Sequence, residues 1–242
     1  MIAIPFTPEQ FFGVFARYNT ETWPAPVVLT VAGWSMVILA GSATRFAGRI
    51  VTFWLGLLWL WMGIVYHVGY FRAVNPVATV FGGAFILQGL LLIRAGVRHQ
   101  ITYVGPLDER ADTGTAAILY ALILYPWIGL AVGHRYPATP TFGLPCPSTI
   151  YTLGLLLWSS RPVPLILLLV PAAWTIVGAW GAIAFGLWQD LGLLAALGLT
   201  TIEVGRRVRD RRANRASRAI TAYFASDAAG TARTRAQAAP RA

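Results

Sequence analysis

Four side chains in this sequence could act together: the imidazoles of His67 and His134, the thiol of Cys146 and the carboxylate of Asp190. Imidazole and thiolate suit soft or borderline ions such as copper and zinc. His67, His134 and Cys146 therefore form a possible metal set, with Asp190 available as a further ligand. Their spacing is non-local, so no motif certifies that set. The same groups, joined by Tyr136, could instead bind a small solute. Cys146 also falls at a helix N-terminus, which activates a thiol, but no partner base is specified by spacing. Each residue has a structural use as well. His67 can hydrogen-bond a neighbouring helix, His134 suits a helix C-terminus, and Asp190 suits an N-cap.

The elements that must position these groups belong in a membrane. Of 242 residues, 57% are hydrophobic and 12% charged, with a mean hydropathy of +0.61. Soluble domains carry about 25% charged residues. Every basic residue is arginine, and the absence of lysine excludes Schiff-base chemistry and a P-loop. A single cysteine excludes an intrachain disulfide and multi-cysteine metal sites. Residues 1–205 hold nine Arg against seven acids, whereas 206–242 hold ten Arg against two, so the excess charge is a tail. A tail is not a basic nucleic-acid-binding domain, and no nucleic-acid partner is expected.

The apolar runs predict an all-α, polytopic bundle of about seven spans, at 26–43, 50–71, 76–95, 113–133, 147–160, 163–187 and 190–205. The fifth and seventh are short, and 147–160 could be partly re-entrant. Arginine placement predicts an external N-terminus and a cytoplasmic C-terminus, since Arg45, Arg49, Arg94, Arg98, Arg110, Arg161 and the tail then share one side. This topology carries His67, His134, Tyr136, Cys146 and Asp190 to the outer side. A site, if present, faces outward. The mid-depth tryptophans, Trp174 among them, either pack the core or line an apolar pocket.

Residues 1–25 read as an external interfacial helix, with Thr7 as N-cap, Pro8 in the first turn and Gln10 completing a capping box. Phe11, Phe12 and Phe15 share the face assigned to the lipid interface. Asn75 can cap the third span. Gly129-x-x-x-Gly133 and Gly178-x-x-x-Ala182-x-x-x-Gly186 offer small-residue faces for helix association. Pro126 and Pro171 free the carbonyls of Leu122 and Leu167. Asp108, Glu109 and Asp112 read as a solvated surface. Residues 206–242 read as a partly disordered cytoplasmic tail, in which Arg206, Arg207, Arg209, Arg211 and Arg212 anchor to anionic headgroups. Glu203 pairs with Arg206 or Arg207.

Several stretches together, PFTPEQFFGVFARYN, LLWLWMGIVYH followed by NP, LYPWIGLAVGHRYPATPTFGLPCPSTIYTLGLLL and QDLGLL, carry a resemblance. They resemble an uncharacterised bacterial family, a domain of unknown function, of small polytopic inner-membrane proteins. The likeness covers roughly residues 5–200, with Ser148 where the family pattern often has Thr. Members are sometimes labelled permeases, but seven spans are too few for a full major-facilitator fold, and no activity transfers. The resemblance implies an inner-membrane, multi-pass protein. The leading expectation is an outward-facing polar pocket that binds or passes a small solute or metal ion. The alternative is a non-enzymatic accessory or assembly subunit packed on a partner membrane protein.

Overall fold

The computed structural model describes residues 6–42, 44–103, 112–160 and 162–209. Among these no strand occurs, only the isolated bridges Tyr103–Ser159 and Phe142–Leu144. The chain divides into a unit of Met1–Thr201, which holds the helices below, and a second of Ile202–Ala242. In the second unit residues 202–209 are helical, and Arg207 Nε donates to Glu203 Oε1 at 2.7 Å. Arg206 and Arg209 lie in the same stretch. Arg211 and Arg212, like Asp108, Glu109, Arg110 and Arg161, lie outside the described residues.

The first helix, α1 (Pro8–Glu21), opens on the expected capping box. Thr7 Oγ1 accepts the Gln10 N–H at 3.3 Å, and Gln10 Oε1 accepts the Thr7 N–H at 2.9 Å. After Trp23-Pro24 the axis turns 81° into α2 (Ala25–Gly41). Next, α3 (Ala47–Trp61) runs on through a π-helical stretch, Met62–Tyr70, and a 3-10 turn, Phe71–Ala73. Asn75 Oδ1 accepts the Val77 N–H at 3.1 Å and leads into α4 (Ala78–Val97). Then α5 (Asp112–Leu119) passes through π-helical Tyr120–Leu124 into α6 (Tyr125–Ala131). The chain continues as α7 (Pro145–Leu157), α8 (Ile166–Phe185), a 3-10 turn at Trp188–Leu191, and helical residues 192–201.

Among the described residues, four continuous helical runs are long and apolar enough to cross a membrane: Ala47–Ala73, Ala78–Val97, Asp112–Ala131 and Ile166–Phe185. The bent α1–α2 pair makes a fifth if taken as one span. The expected span at 147–160 is α7, whose 13 residues reach about 20 Å against a hydrocarbon thickness of about 30 Å. It is buried at every position except half-buried Cys146. Tyr151 of α7 donates its hydroxyl to Gly33 O at 2.8 Å, and Thr152 Oγ1 accepts the Trp59 indole N–H at 3.0 Å. These bonds satisfy two of its buried hydroxyls within the bundle, while that of Thr149 has no partner.

Contacts sort the connections into two ends. Thr102 O accepts the Ser160 N–H at 2.7 Å, and Gly48 abuts Ile101, so the start of α3 meets the ends of α4 and α7 there. At the opposite end, Asn19 Nδ2 donates to Pro137 O and Thr139 O at 2.7 and 2.9 Å. The Phe11 ring stacks on Phe185 at 4.3 Å and meets Phe71 at 5.9 Å. The phenylalanine face of α1 therefore packs on protein. Its sequence pattern suited the lipid interface, but the aromatic turns at Phe71 and Phe185 supply closer partners.

Glycine sets the helix spacing, in part where the motifs suggested, since Gly178 packs on Leu193 and Ala182 is fully buried, and in part elsewhere. Gly133 and Gly186 take positive φ (96° and 69°) at helix ends, so they terminate helices and do not pack faces. The close seam lies between α3 with its π-helical extension and α4. A Cβ on Gly89 would stand 2.8 Å from Gly56 O, and one on Gly63 would stand 2.9 Å from Gly82 O. A second seam joins α5 to α7, where a Cβ on Gly154 would stand 2.8 Å from Gly114 O. Gln88 Nε2 crosses from α4 to Leu167 O at 2.8 Å and so fills the carbonyl freed by Pro171. Gly89→Ala is expected to cost about 1–3 kcal/mol through backbone overpacking, read as a lower melting temperature in detergent. Gly83→Ala, whose Cβ meets nothing within 4 Å, should melt like the parent. Equal melting of both variants would contradict the seam.

Candidate functional site

At the α1 end the helices leave a half-open cleft of about 620 Å³, within the range of about 300–1,000 Å³ usual for small-ligand pockets. Its walls are almost wholly apolar. Phe6, just before α1, closes it with Phe11 and Phe15 of α1, Tyr66 of the π-helical extension, Phe71 of the 3-10 turn and Phe81 of α4. Trp174, Gly178, Gly181 and Phe185 line the α8 side. Ile176 and Trp180, 71% and 49% exposed, flank the same wall on a face long and apolar enough to meet lipid.

Asn75 lines the cleft beside Phe71, and two further polar side chains gather on another part of the lining. Cys146 lies beside Asp190, and both line the cleft. Cys146 arrives there because Pro145 starts α7, placing the thiol in its first turn. It packs on Gly178, whose absent side chain leaves room for the sulfur. Asp190 was expected to cap the following helix; its carboxylate instead turns inward and accepts the Tyr125 hydroxyl. Tyr125 reaches it through the π turn. Pro126 has no N–H to continue an α-helical ladder, and the Tyr125 N–H bonds Tyr120 O five residues back. The wider turn puts Tyr120 and Tyr125 on one face. Tyr120 accordingly donates to Gln189 O at 2.8 Å, next to Asp190.

A family model described as a family of unknown function (DUF6064) matches residues 8–215. The chain belongs to DUF6064. No curated protein and no solved structure matches it. The matched segment contains every cleft residue named above except Phe6.

In this DUF6064 member the sequence-derived candidates divide. Cys146 and Asp190 come together on the cleft. His67 does not line it; it is fully buried behind the wall, with rings of Phe85 at 4.6 Å, Trp174 at 5.1 Å and Phe81 at 6.0 Å. Trp174 stands between His67 and Cys146. Neither imidazole nitrogen has a hydrogen-bond partner, so the helix-to-helix bond expected of it is not made. The π-helical stretch explains its placement, because the extra residue per turn directs adjacent Tyr66 and His67 inward together.

His134 and Tyr136 are elsewhere. The His134 ring lies 5.0 Å from Phe12, with Nδ1 3.4 Å from Gln189 Nε2. Burial lowers its imidazole below the ordinary value, which favours the neutral ring as acceptor from Gln189. Tyr136 donates to Asn19 O at 3.2 Å and ties the 134–141 loop to α1. His67, His134 and Cys146 thus do not form a ligand set, and among the described residues no group of three or more His, Cys, Asp or Glu could hold a metal ion.

Sequence reasoning missed Tyr125 and Tyr66 as members of the site. The signal for Tyr125 was Pro126 directly after it, within an apolar run. His67 gives a test of its own. An unpartnered buried polar group costs about 1–3 kcal/mol, so His67→Leu should keep or raise the melting temperature. A marked fall would show that the imidazole is partnered in the membrane.

Proposed function

We propose that this protein is a multi-pass membrane protein that binds a small lipophilic solute in the cleft ending on Cys146 and Asp190. The observation that carries this reading is the pairing of an aromatic wall with one small polar patch, the usual make-up of a small-molecule site. A mouth flanked by exposed Ile176 and Trp180 supports entry from the bilayer. The chemistry of the lining favours a lipophile over the free metal ion that the sequence also allowed.

The proposed topology keeps seven passes, α7 being a short one held inside the bundle. Arg45, Arg49, Arg94 and Arg98 belong to the end opposite the cleft, where the arginine bias reads as cytoplasmic. The cleft then faces outward, in the inner membrane that the family resemblance implies. A cleft in place of a solid bundle favours solute binding over the accessory-subunit reading.

Photolabelling with a diazirine-bearing alkanol in nanodiscs tests the proposal. Adducts are expected on Cys146, Asp190 and the Trp174–Phe185 face of α8. Gly181→Phe, where a Cβ meets open space, should fill the cleft and suppress them. Adducts spread evenly over lipid-facing Ile38 and Val80, unaffected by that variant, would overturn it.

A further inference from the structure

Asp190 sets a charge problem inside an apolar site. It is 2% exposed, and among the described residues the ion pairs are Arg17–Glu21 and Arg207–Glu203, neither involving it. Its neighbours Tyr125 and Cys146 donate hydrogen bonds but bring no positive charge. Among the described residues no arginine, histidine or second carboxylate lines the cleft. A buried carboxylate must be neutralised, either by a proton or by a cation from outside the chain.

The rest of the cleft suits the second solution. Ring faces carry negative potential, and a cage of them recognises quaternary or protonated amines. Here Tyr66, Phe71, Phe81, Trp174, Trp180 and Phe185 surround the space that ends on Asp190. A neutral lipophile would use the rings but bring no charge to the carboxylate. An anion would be repelled by both.

We infer that the cleft selects lipophilic organic cations, with an aromatic or alkyl body in the ring-lined space and the positive centre against Asp190. This rests on the solute-binding reading proposed above and adds the ligand's charge. Entry beside Ile176 and Trp180 would draw such amphiphiles from the lipid, where their apolar bodies concentrate them.

Three probes of similar shape and different charge separate the two readings: tetraphenylphosphonium, neutral triphenylphosphine oxide and anionic tetraphenylborate. Saturable binding to full-length protein in zwitterionic nanodiscs is measured by tryptophan quenching, with empty discs as the partition blank. The cation should bind about tenfold or more tighter than the oxide, and tetraphenylborate should show no saturable binding. Asp190→Asn should bring the cation down to the level of the oxide, whereas Asp190→Glu should retain the preference. Comparing the probes on unmodified protein decides even if the Asn variant does not fold. Equal binding of cation and oxide, both lost in Gly181→Phe, would overturn the cation inference and leave solute binding standing. No saturable binding of any probe, or binding indifferent to Gly181→Phe, would overturn the solute-binding reading itself.

Discussion

Inside a bilayer, lipid tails solvate a helix as well as another helix does, so the fold depends on how closely backbones can approach. Glycine against glycine supplies that approach. Gly56 and Gly63 on one side, with Gly82 and Gly89 on the other, draw α3 and α4 into backbone contact. Gly114 and Gly154 do the same for α5 and α7. Short buried α7 is thereby enclosed, with the hydroxyls of Tyr151 and Thr152 bonded to α2 and α3.

The cleft lies at the end where α1 and the turns at Phe71, Pro140 and Leu187 take over from the helices as walls. Two π-helical stretches shape that end. One turns Tyr66 toward the cleft and adjacent His67 into the packing behind it; the other brings Tyr125 to Asp190. π turns cost hydrogen-bond geometry and are frequent at functional sites. Here the second follows directly from Pro126. The aromatic face of α1 then covers the same end, which explains why a helix with an interfacial pattern packs against protein.

Much of this was legible in the residues. The all-helical class, the capping box at Thr7, the Asn75 entry to α4 and the Glu203–Arg207 pair follow from local rules that tertiary contacts do not override. Arginine bias grouped the connections at two ends, and the contacts between those connections agree with the grouping. Cys146 and Asp190 were named together because both fall at one end of their helices. The histidines misled because depth and side do not fix azimuth. His67 has the right depth but faces the packing behind Trp174, and His134 lies across Gln189 on the α1 side. The glycine seams escaped notice because their seven-residue spacing is diluted by many other glycines. Only the partner helix shows which ones touch.

The central claim is that the cleft holds a lipophilic molecule with its polar centre at Asp190. Crystals grown with tetraphenylarsonium test it most directly, because arsenic scatters anomalously and marks the cation's centre. The account predicts an arsenic peak between Trp174 and Asp190, with the phenyl rings among the aromatic walls. Arsenic found only on lipid-facing surfaces, with the cleft filled by protein side chains, would contradict it.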